Sequence, residues 1–373
     1  MGIVRTLLAL AVVSAHYHAA LPLLGEVPFY GHGAYSVSAF FIASGFYMSL
    51  VINEKYGDRW KQFYISRLLR LGPILLSVLA AHAVLFLISG TVTMYGGFTI
   101  PAFWAMFQKV PWIWKLVVVS ANTTTVGTDA LNFVAFDPNG QAHLQKMSLA
   151  AGQVPGSWFA MFQPGWSLSV EIVFYLLAPF IVRRGIGLIG FMLAASLTVR
   201  AIIGVSSLAG SYVWEYAFLP GEWSFFMLGI MGYWLYVLVK DHGWARRVGY
   251  VMLAVYAFLF LSLNHLKIPN TFMWYTCFLA VGVPFIFCAF KSNTVDREIG
   301  NFAYIIFSVH FLAGKLAQMI SPNAPQEIYY PLLFMFAFAA YYGIEVPVEN
   351  FRARVTRFRS KSAPLVTGNA TAA

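Results

Sequence analysis

Ten separate runs of apolar residues are the feature that most restricts what this chain can fold into. They cover residues 4–24, 33–53, 70–90, 166–182, 185–205, 222–240, 248–265, 271–290, 300–320 and 329–347. A hydrocarbon core about 30 Å thick takes roughly 20 residues of helix to cross, and lipid offers backbone N–H and C=O groups no partner outside the helix itself. We therefore predict an all-α polytopic membrane protein with about ten transmembrane helices.

The composition agrees with a bilayer environment and removes several classes of function. Hydrophobic residues make up 60% of the chain and charged residues 10%, whereas soluble domains are about a quarter charged. The net charge of +10 does not indicate a nucleic-acid partner, because the basic residues lie in short loops rather than on one soluble face. Neither the cysteines nor any His or carboxylate pair has metal-ligand spacing, so we expect membrane lipids as partners, no metal and no permanently bound cofactor.

Lysine and arginine are concentrated in every second loop, which predicts the orientation of the chain. With the N-terminus inside, the cytoplasmic segments hold 17 of the 24 basic residues, and basic residues in short loops favour the cytoplasmic side. We therefore expect both termini in the cytoplasm and the chain in the inner (plasma) membrane of the cell. The segment MGIVR before an apolar run also fits a cleavable signal peptide, but cleavage would remove the most unusual polar residues of the chain, Arg5 and His16.

Residues 91–165 form the one long excursion within a transmembrane domain that we expect over residues 1–359. Its aromatic stretch, PAFWAMFQKVPWIWKLVVVS, is interrupted by proline and lysine. An interfacial or re-entrant segment is therefore favoured, and a full span over residues 101–119 stays an alternative. The tail at 360–373 is rich in Ala and Thr and is expected to be disordered.

Arg5 and His16 lie in the first apolar run, where ionisable side chains are unfavourable and often mark a site. They are eleven residues apart, which is three helical turns plus about 20°, so both project from one helix face at about 16 Å from each other. A guanidinium suits phosphates and a neutral imidazole can take a proton. The alternatives are a topology anchor for Arg5 and a packing residue for His16.

Glu171 enters from the opposite side of the membrane in the fourth run. Counting about 1.5 Å per residue places it about 8 Å below the outer boundary, and His16 about 20 Å from the inner one, so their depths nearly coincide. A carboxylate beside an imidazole would orient it and raise its basicity. The alternative is a structural ion pair between Glu171 and Arg200.

Arg67 and Arg70 lie one helical turn apart, shortly before Pro73. Alone they are ordinary basic loop residues, but facing Arg5 they would complete an anion site on the inner side. His18, His82, His310 and Lys315 are interpreted first as interior residues of a helix bundle.

Four stretches and a weaker late pattern together resemble the acyltransferase-3 family of integral membrane O-acyltransferases. The first is Arg5 with His16, the second FFIASGF at 40–46 with Ser44 and Gly45, and the third Arg67, Arg70 and Pro73. The fourth comprises Trp166, Ser167, Leu168, Glu171, Phe174, Tyr175 and Pro179. The late pattern is Gly300, Tyr304 and His310, and the chain departs from the family pattern at Ser38, Ala303 and Phe307.

The resemblance implies an enzyme that moves an acyl group, most commonly acetyl, from cytoplasmic acyl-CoA (acetyl-CoA) to a hydroxyl of a cell-envelope carbohydrate or glycolipid. We expect His16 and Glu171 to be catalytic and Arg5, Arg67 and Arg70 to bind acyl-CoA. Supporting roles are expected for Ser44, Trp166, Ser167, Tyr175 and His310.

Two other classes fit the apolar runs with buried charge. A lipid or polysaccharide transporter would more often show two matched halves, and the chain has no evident internal repeat. An inert scaffold of a glycan-modifying complex would tolerate the loss of His16.

Overall fold

The computed structural model describes residues 1–17, 32–91, 97–146, 148–211, 213–262, 271–323 and 325–355, and about 80% of the structure is helical. His18 lies outside these residues. The tail at 360–373 also lies outside them, and its disorder stays a prediction. The helices of the described part are α1 (Gly2–Tyr17), α2 (His32–Leu50), α3 (Trp60–Ser89), α4 (Ile100–Lys109), α5 (Trp112–Thr124), α6 (Thr128–Leu131), α7 (Gly165–Ile181), α8 (Ile186–Val205), α9 (Leu219–Val239), α10 (Gly243–Ser262), α11 (Thr271–Phe290), α12 (Thr294–Ile320), α13 (Gln326–Ala340) and α14 (Val346–Val355).

Each predicted apolar run overlaps a helix of the described residues. Within the described ranges, seven helices are long and apolar enough to cross a membrane. These are Gly33–Tyr56, Trp60–Ser89, Ile186–Val205, Val213–Val239, Phe272–Phe290, Thr294–Ile320 and Gln326–Val355. Three of them include a π-helical segment, at Val51–Tyr56, Val213–Ala217 and Tyr341–Glu345. The helices α1 and α7 are apolar but shorter. The multi-pass helical character is therefore confirmed, while the count of ten crossings and the side of the termini stay predictions.

Close approach of backbones sets how the central helices cross. The helix α2 packs against α9 and α11, and α1 packs against α12 and α2. A Cβ on Gly45 would lie 2.2 Å from the Phe226 carbonyl oxygen, and one on Gly229 would lie 2.1 Å from the carbonyl oxygen of Ile42. In lipid there is no hydrophobic driving force for helix association, and small residues allow the helix backbones to pack closely. Gly45 in the FFIASGF stretch therefore has a packing role, which brings Ser44 close to the centre of the bundle.

The excursion between α3 and α7 forms a small layer of its own, which includes a sheet that the all-α prediction missed. Strands β1 (Val134–Phe136), β2 (Ala142–Leu144) and β3 (Val154–Pro155) pair antiparallel in the order β2-β1-β3. The helices α4 and α5 have 10 and 13 residues, about 15 and 20 Å of helix. Neither is long enough to cross the hydrocarbon alone. The stretch at 101–119 is divided between these two helices, and its position relative to the membrane stays a prediction.

A separate core holds this layer together, built from aromatic and aliphatic side chains of α4, α5 and β1. Its turn between β1 and β2 is closed by Asp137, whose carboxylate accepts hydrogen bonds from the backbone N–H groups of Asn139 and Gln141, each at 2.9 Å. The Gln141 bond is the main reason that the pKa of Asp137 lies below its usual value. Gly140 has a φ of +85°, a conformation that favours glycine.

Candidate functional site

The position of α1 is fixed by its contacts with the first turns of α12. Asp296 accepts hydrogen bonds from the backbone N–H groups of Gly2 at 2.7 Å and Ile3 at 3.0 Å, which satisfies donors that a helix start leaves unpaired. A Cβ on Gly300 would lie 2.6 Å from the Gly2 Cα, so only glycine allows this approach. The two helices therefore run in a fixed register, and side chains of α1 have defined neighbours on α12.

A cavity of about 290 Å³ lies among α1, α2, α3, α7, α11 and α12. Its basic end is lined by Arg5, Arg67, Arg70, Lys291 and Arg297. The helices α1 and α3 therefore face one space, and Arg67 and Arg70 lie within α3 rather than in a loop before it as the sequence suggested. The arrangement expected from the sequence, with the arginine pair opposite Arg5, is the one that the structure adopts.

The guanidinium groups at the basic end have few partners in the protein. Among the described residues none of Arg5, Arg67 and Arg70 forms an ion pair with a carboxylate. Arg5 lies 5.9 Å from the centre of the Tyr47 ring, and the buried Nε of Arg67 has no hydrogen-bond partner. Unpaired buried donors are unfavourable, so this end of the cavity is suited to an anion.

Midway along the cavity, Glu171 is held by two hydroxyl groups. The Oε1 of its carboxylate accepts a hydrogen bond from the Ser44 hydroxyl and another from the Tyr175 hydroxyl, both at 2.5 Å. Ser167 lines the same cavity one turn earlier on α7. The alternative pairing of Glu171 with Arg200 is wrong, because Arg200 donates to Glu222 at 2.8 Å instead.

The expected contact between Glu171 and His16 is not what the structure shows. The Nδ1 of His16 donates to the carbonyl oxygen of Val12 in its own helix, at 2.9 Å. The imidazole packs against His310, with ring centres 5.2 Å apart, and against Phe311. The similar depths of His16 and Glu171 did not bring them together because α1 packs on α12 and α2, whereas α7 packs on α2 and α3.

Two further histidines lie beyond the end of the cavity opposite the arginines. His310 on α12 is fully buried and bonds through Nδ1 to the Phe307 carbonyl oxygen at 2.5 Å. His82 on α3 is buried and bonds through Nδ1 to the Val78 carbonyl oxygen at 2.8 Å. We call His16, His82 and His310 the histidine cluster. Across the residues that the structure describes, no His, Cys, Asp or Glu group has an arrangement that could hold a metal ion.

The structure thus divides the predicted site residues into two sets. Seven of them line the cavity, namely Arg5, Ser44, Arg67, Arg70, Ser167, Glu171 and Tyr175. His16, Trp166 and His310 lie outside its lining. Trp166 packs edge-on against Tyr216, with ring centres 5.0 Å apart, and against Phe41. His310 contacts the cavity through Phe307, whose ring centre is 5.6 Å from its own.

Two residues of this region were named from the sequence but were given no role in the site. His82 matched no motif, and its relation to the other histidines depends on which helices are neighbours. Tyr304, which lines the cavity, donates a hydrogen bond at 2.9 Å to the carbonyl oxygen of Leu71. Since Leu71 follows Arg70 directly, this bond ties α12 to the arginine pair. The late Gly-Tyr-His pattern was the only sequence signal for it.

Comparison with known proteins gives one match. A family model described as an acyltransferase domain, that of the acyltransferase-3 family, matches residues 1–346. The matched range contains every helix that lines the cavity. No curated protein and no solved structure matches the chain.

Proposed function

The chain belongs to the acyltransferase-3 family, and we propose that it moves an acyl group from acyl-CoA, with acetyl-CoA as the donor, to a hydroxyl of a cell-envelope carbohydrate or glycolipid. The family and the apolar helices indicate a membrane acyltransferase. The donor, the acceptor, the acyl group and the inner membrane as location are parts of the proposal. We place the basic end of the cavity and both termini in the cytoplasm, in agreement with the loop charges.

One observation carries the proposal: arginine side chains without a carboxylate partner lie at one end of the cavity, and the oriented imidazole of His16 lies beyond the other end, next to His310. CoA has the same polarity, because its phosphates and its thioester are at opposite ends of a long flexible arm. Arg5, Arg67 and Arg70 are proposed to bind the phosphates through charge-assisted hydrogen bonds. The thioester then reaches toward His16, which lies three helical turns from Arg5, about 16 Å along the axis.

His16 is proposed to act through Nε2. A carbonyl oxygen can only accept, so the bond to Val12 places the proton of the neutral ring on Nδ1 and leaves the basic lone pair on Nε2. The Val12 carbonyl thus supplies the orientation that Glu171 was expected to supply. In direct transfer, Nε2 takes the proton of the acceptor hydroxyl while the hydroxyl oxygen attacks the thioester carbon. The C–O bond forms, the C–S bond breaks, and the CoA thiolate takes the proton from His16.

An acyl-histidine intermediate is the other route through the same residue. In that route Nε2 attacks the thioester carbon, the C–S bond breaks and CoA leaves as a thiolate. The acceptor oxygen then attacks the acyl carbon, the C–N bond breaks to restore the neutral imidazole, and the hydroxyl proton goes to the CoA thiolate. Acid-quenched enzyme that retains radioactivity after incubation with labelled acetyl-CoA alone would identify the covalent route. Enzyme without label under these conditions would favour direct transfer.

Glu171 is proposed to bind the middle of the donor rather than to act on His16. Its carboxylate lies on the cavity wall and keeps acceptor capacity beyond the bonds from Ser44 and Tyr175. The arm of CoA carries amide N–H groups and a hydroxyl, which are donors that a carboxylate binds. Ser44 and Tyr175 hold the carboxylate in place, and Trp166 and Ser167 support the start of α7.

The test is acyl transfer by membranes that contain the full chain. Membranes with the wild-type protein should incorporate label from acetyl-CoA into envelope glycan, and mass spectrometry of that glycan should show one added acyl group on a hydroxyl. The rate of label incorporation should fall by about 10²- to 10⁴-fold in the His16→Ala variant. It should not fall in a control variant, His143→Ala, which lies in strand β2 of the layer between α3 and α7. Wild-type turnover in His16→Ala contradicts the proposal, and movement of glycan or lipid without acyl-CoA consumption would favour a transporter.

A further inference from the structure

The three members of the histidine cluster share one hydrogen-bond pattern. Each Nδ1 is bonded to a carbonyl oxygen of its own helix, at Val12 for His16, Val78 for His82 and Phe307 for His310. The carbonyls accept, so each Nδ1 carries a proton and each neutral ring presents Nε2 as a lone pair. Three different helices therefore present the same kind of acceptor atom.

Two of these acceptor atoms are buried and unused. Among the described residues, the Nε2 atoms of His82 and His310 have no hydrogen-bond partner, and the two side chains belong to residues that are 7% and 0% exposed. A buried acceptor without a donor is unfavourable by about 1–3 kcal/mol. Such atoms are expected where a ligand or an ordered water supplies the missing donor.

Aromatic contacts connect His82 to the proposed base. The His82 ring lies 5.3 Å from the centre of Phe162, which lies 6.4 Å from Phe311, and Phe311 lies 5.1 Å from His16. The same Phe311 ring also lies edge-on to His310, with ring centres 4.8 Å apart. His82 on α3 therefore lies on the side of the cluster that faces Phe162, which belongs to the segment between α3 and α7. The arginines lie at the other end of the site.

The chemistry of these atoms selects the ligand. Neutral imidazole lone pairs do not bind an anion or a carbonyl group, and the cluster has no metal-binding arrangement in the part of the chain that is described. They bind groups that donate, and among uncharged donors the hydroxyls of a polyol or sugar match both the acceptor atoms and the aromatic rings around them.

We propose that His82 is an acceptor-binding residue: its Nε2 accepts a hydrogen bond from a hydroxyl of the carbohydrate, with His310 as the second contact, and this holds a neighbouring hydroxyl at His16. The inference rests on the proposed function and extends it to a subsite that no sequence motif marks. It assigns the substrate to a class with several hydroxyl groups close together. A single alcohol would leave one of the two Nε2 atoms unused.

The experiment compares His82→Gln with His82→Asn in the full-length protein. The Gln amide reaches the position of Nε2, whereas the shorter Asn amide reaches only that of Nδ1. Labelled acetyl-CoA is kept saturating, and an extract of envelope glycan from the producing cells is added in increasing amounts. His82→Asn should raise the glycan concentration for half-saturation about tenfold, and His82→Gln should stay within about twofold of wild type. Half-saturation by acetyl-CoA should be unchanged in both.

The controls separate the possible outcomes. His242→Asn, in the loop between α9 and α10, should behave as wild type, and the melting temperature in detergent shows whether each variant is folded. If wild type transfers acetyl groups and His82→Asn keeps the wild-type dependence on glycan, the inference is wrong and Nε2 holds a water. Equal changes for glycan and acetyl-CoA, or equal losses for Asn and Gln, also overturn it. If wild type itself transfers no acetyl group, the proposed function fails instead.

Discussion

The two ends of the site differ in which half of a hydrogen bond is missing. At the basic end, Arg5, Arg67 and Arg70 have no carboxylate partner within the described residues, and the buried Nε of Arg67 is an unused donor. At the other end, the Nε2 atoms of His82 and His310 are unused acceptors. A ligand that fits the first end is an anion that accepts, and a ligand that fits the second is a neutral group that donates.

Under the proposed function, this contrast keeps the two substrates apart, because each of them fits only one end of the site. Phosphates would not be stabilised by imidazole lone pairs, and a sugar hydroxyl gains less than a phosphate from guanidinium groups. Under the proposed function, the donor and the acceptor are sorted by hydrogen-bond polarity. Four substitutions test this sorting, from the largest expected kinetic effect to the smallest.

Replacing His16 by Gln should separate basicity from hydrogen bonding. The Gln amide reaches the position of Nε2 but takes no proton, so kcat should fall by about 10²- to 10⁴-fold. The half-saturating acetyl-CoA concentration should change little. Steady-state kinetics of transfer by purified protein, beside His82→Gln, measure the difference. If both Gln variants lose the same activity, the two histidines do not have different roles.

Replacing Arg67 by Gln should act on donor binding. Loss of one charge-assisted hydrogen bond to phosphate should raise KM for acetyl-CoA by about 10- to 100-fold with kcat nearly unchanged. The effect should vanish with S-acetyl-pantetheine, which has no phosphate. Arg246→Gln, on the exposed face of α10, is the matched control. An equal loss with both donors would mean that Arg67 has a structural role.

Replacing Glu171 by Gln tests which end of the cavity this carboxylate serves. As a contact to the donor arm it should raise KM for acetyl-CoA by several-fold, about the effect of one hydrogen bond. A short thioester that lacks most of the arm should show a smaller change. A fall in kcat as large as that of His16→Gln would instead support an orienting role of Glu171 on His16. It would contradict the assignment of Glu171 to donor binding.

Replacing Arg200 by Gln should have the smallest effect on turnover, because this arginine already has its acceptor. Arg200 pairs with Glu222 and lies over the Phe225 ring at 5.1 Å. Removing one partner of a buried pair destabilises by about 3–5 kcal/mol, so the melting temperature in detergent should fall. The KM values of the folded fraction should stay at wild type. An altered KM for either substrate would contradict a purely structural role for the Arg200–Glu222 pair.

The helices were predictable because the bilayer imposes a length and a composition on each of them. Every apolar run found in the sequence overlaps a helix of the described residues. The small sheet was missed because its strands have only three, three and two residues, too few for an alternating pattern to stand out. The excursion that contains it was recognised as different from the rest, since proline and lysine interrupt its apolar stretch.

The basic end was also predictable, and for a physical reason. Arg67 and Arg70 are on one helix face because they are three residues apart. The charges of the loops predict on which side of the membrane each helix end lies, and this puts Arg5 at the same depth as the two other arginines. The partner of Glu171 was not predictable in this way. Depth along a helix follows from counting residues, but direction around the axis matters equally, and it follows from which helices pack together.

The sequence by itself determined that this chain is a multi-pass helical membrane protein of an acyltransferase family, and most of the site residues that it predicted line the cavity. Only the tertiary structure decided that Ser44 on α2 bonds to Glu171 on α7, that His16 packs on His310 rather than on Glu171, and that His82 joins the cluster. The reason is that the first set of features depends on distances along one helix. The second set depends on glycine-mediated contacts such as Gly2 with Gly300, which fix how one helix is rotated against the next.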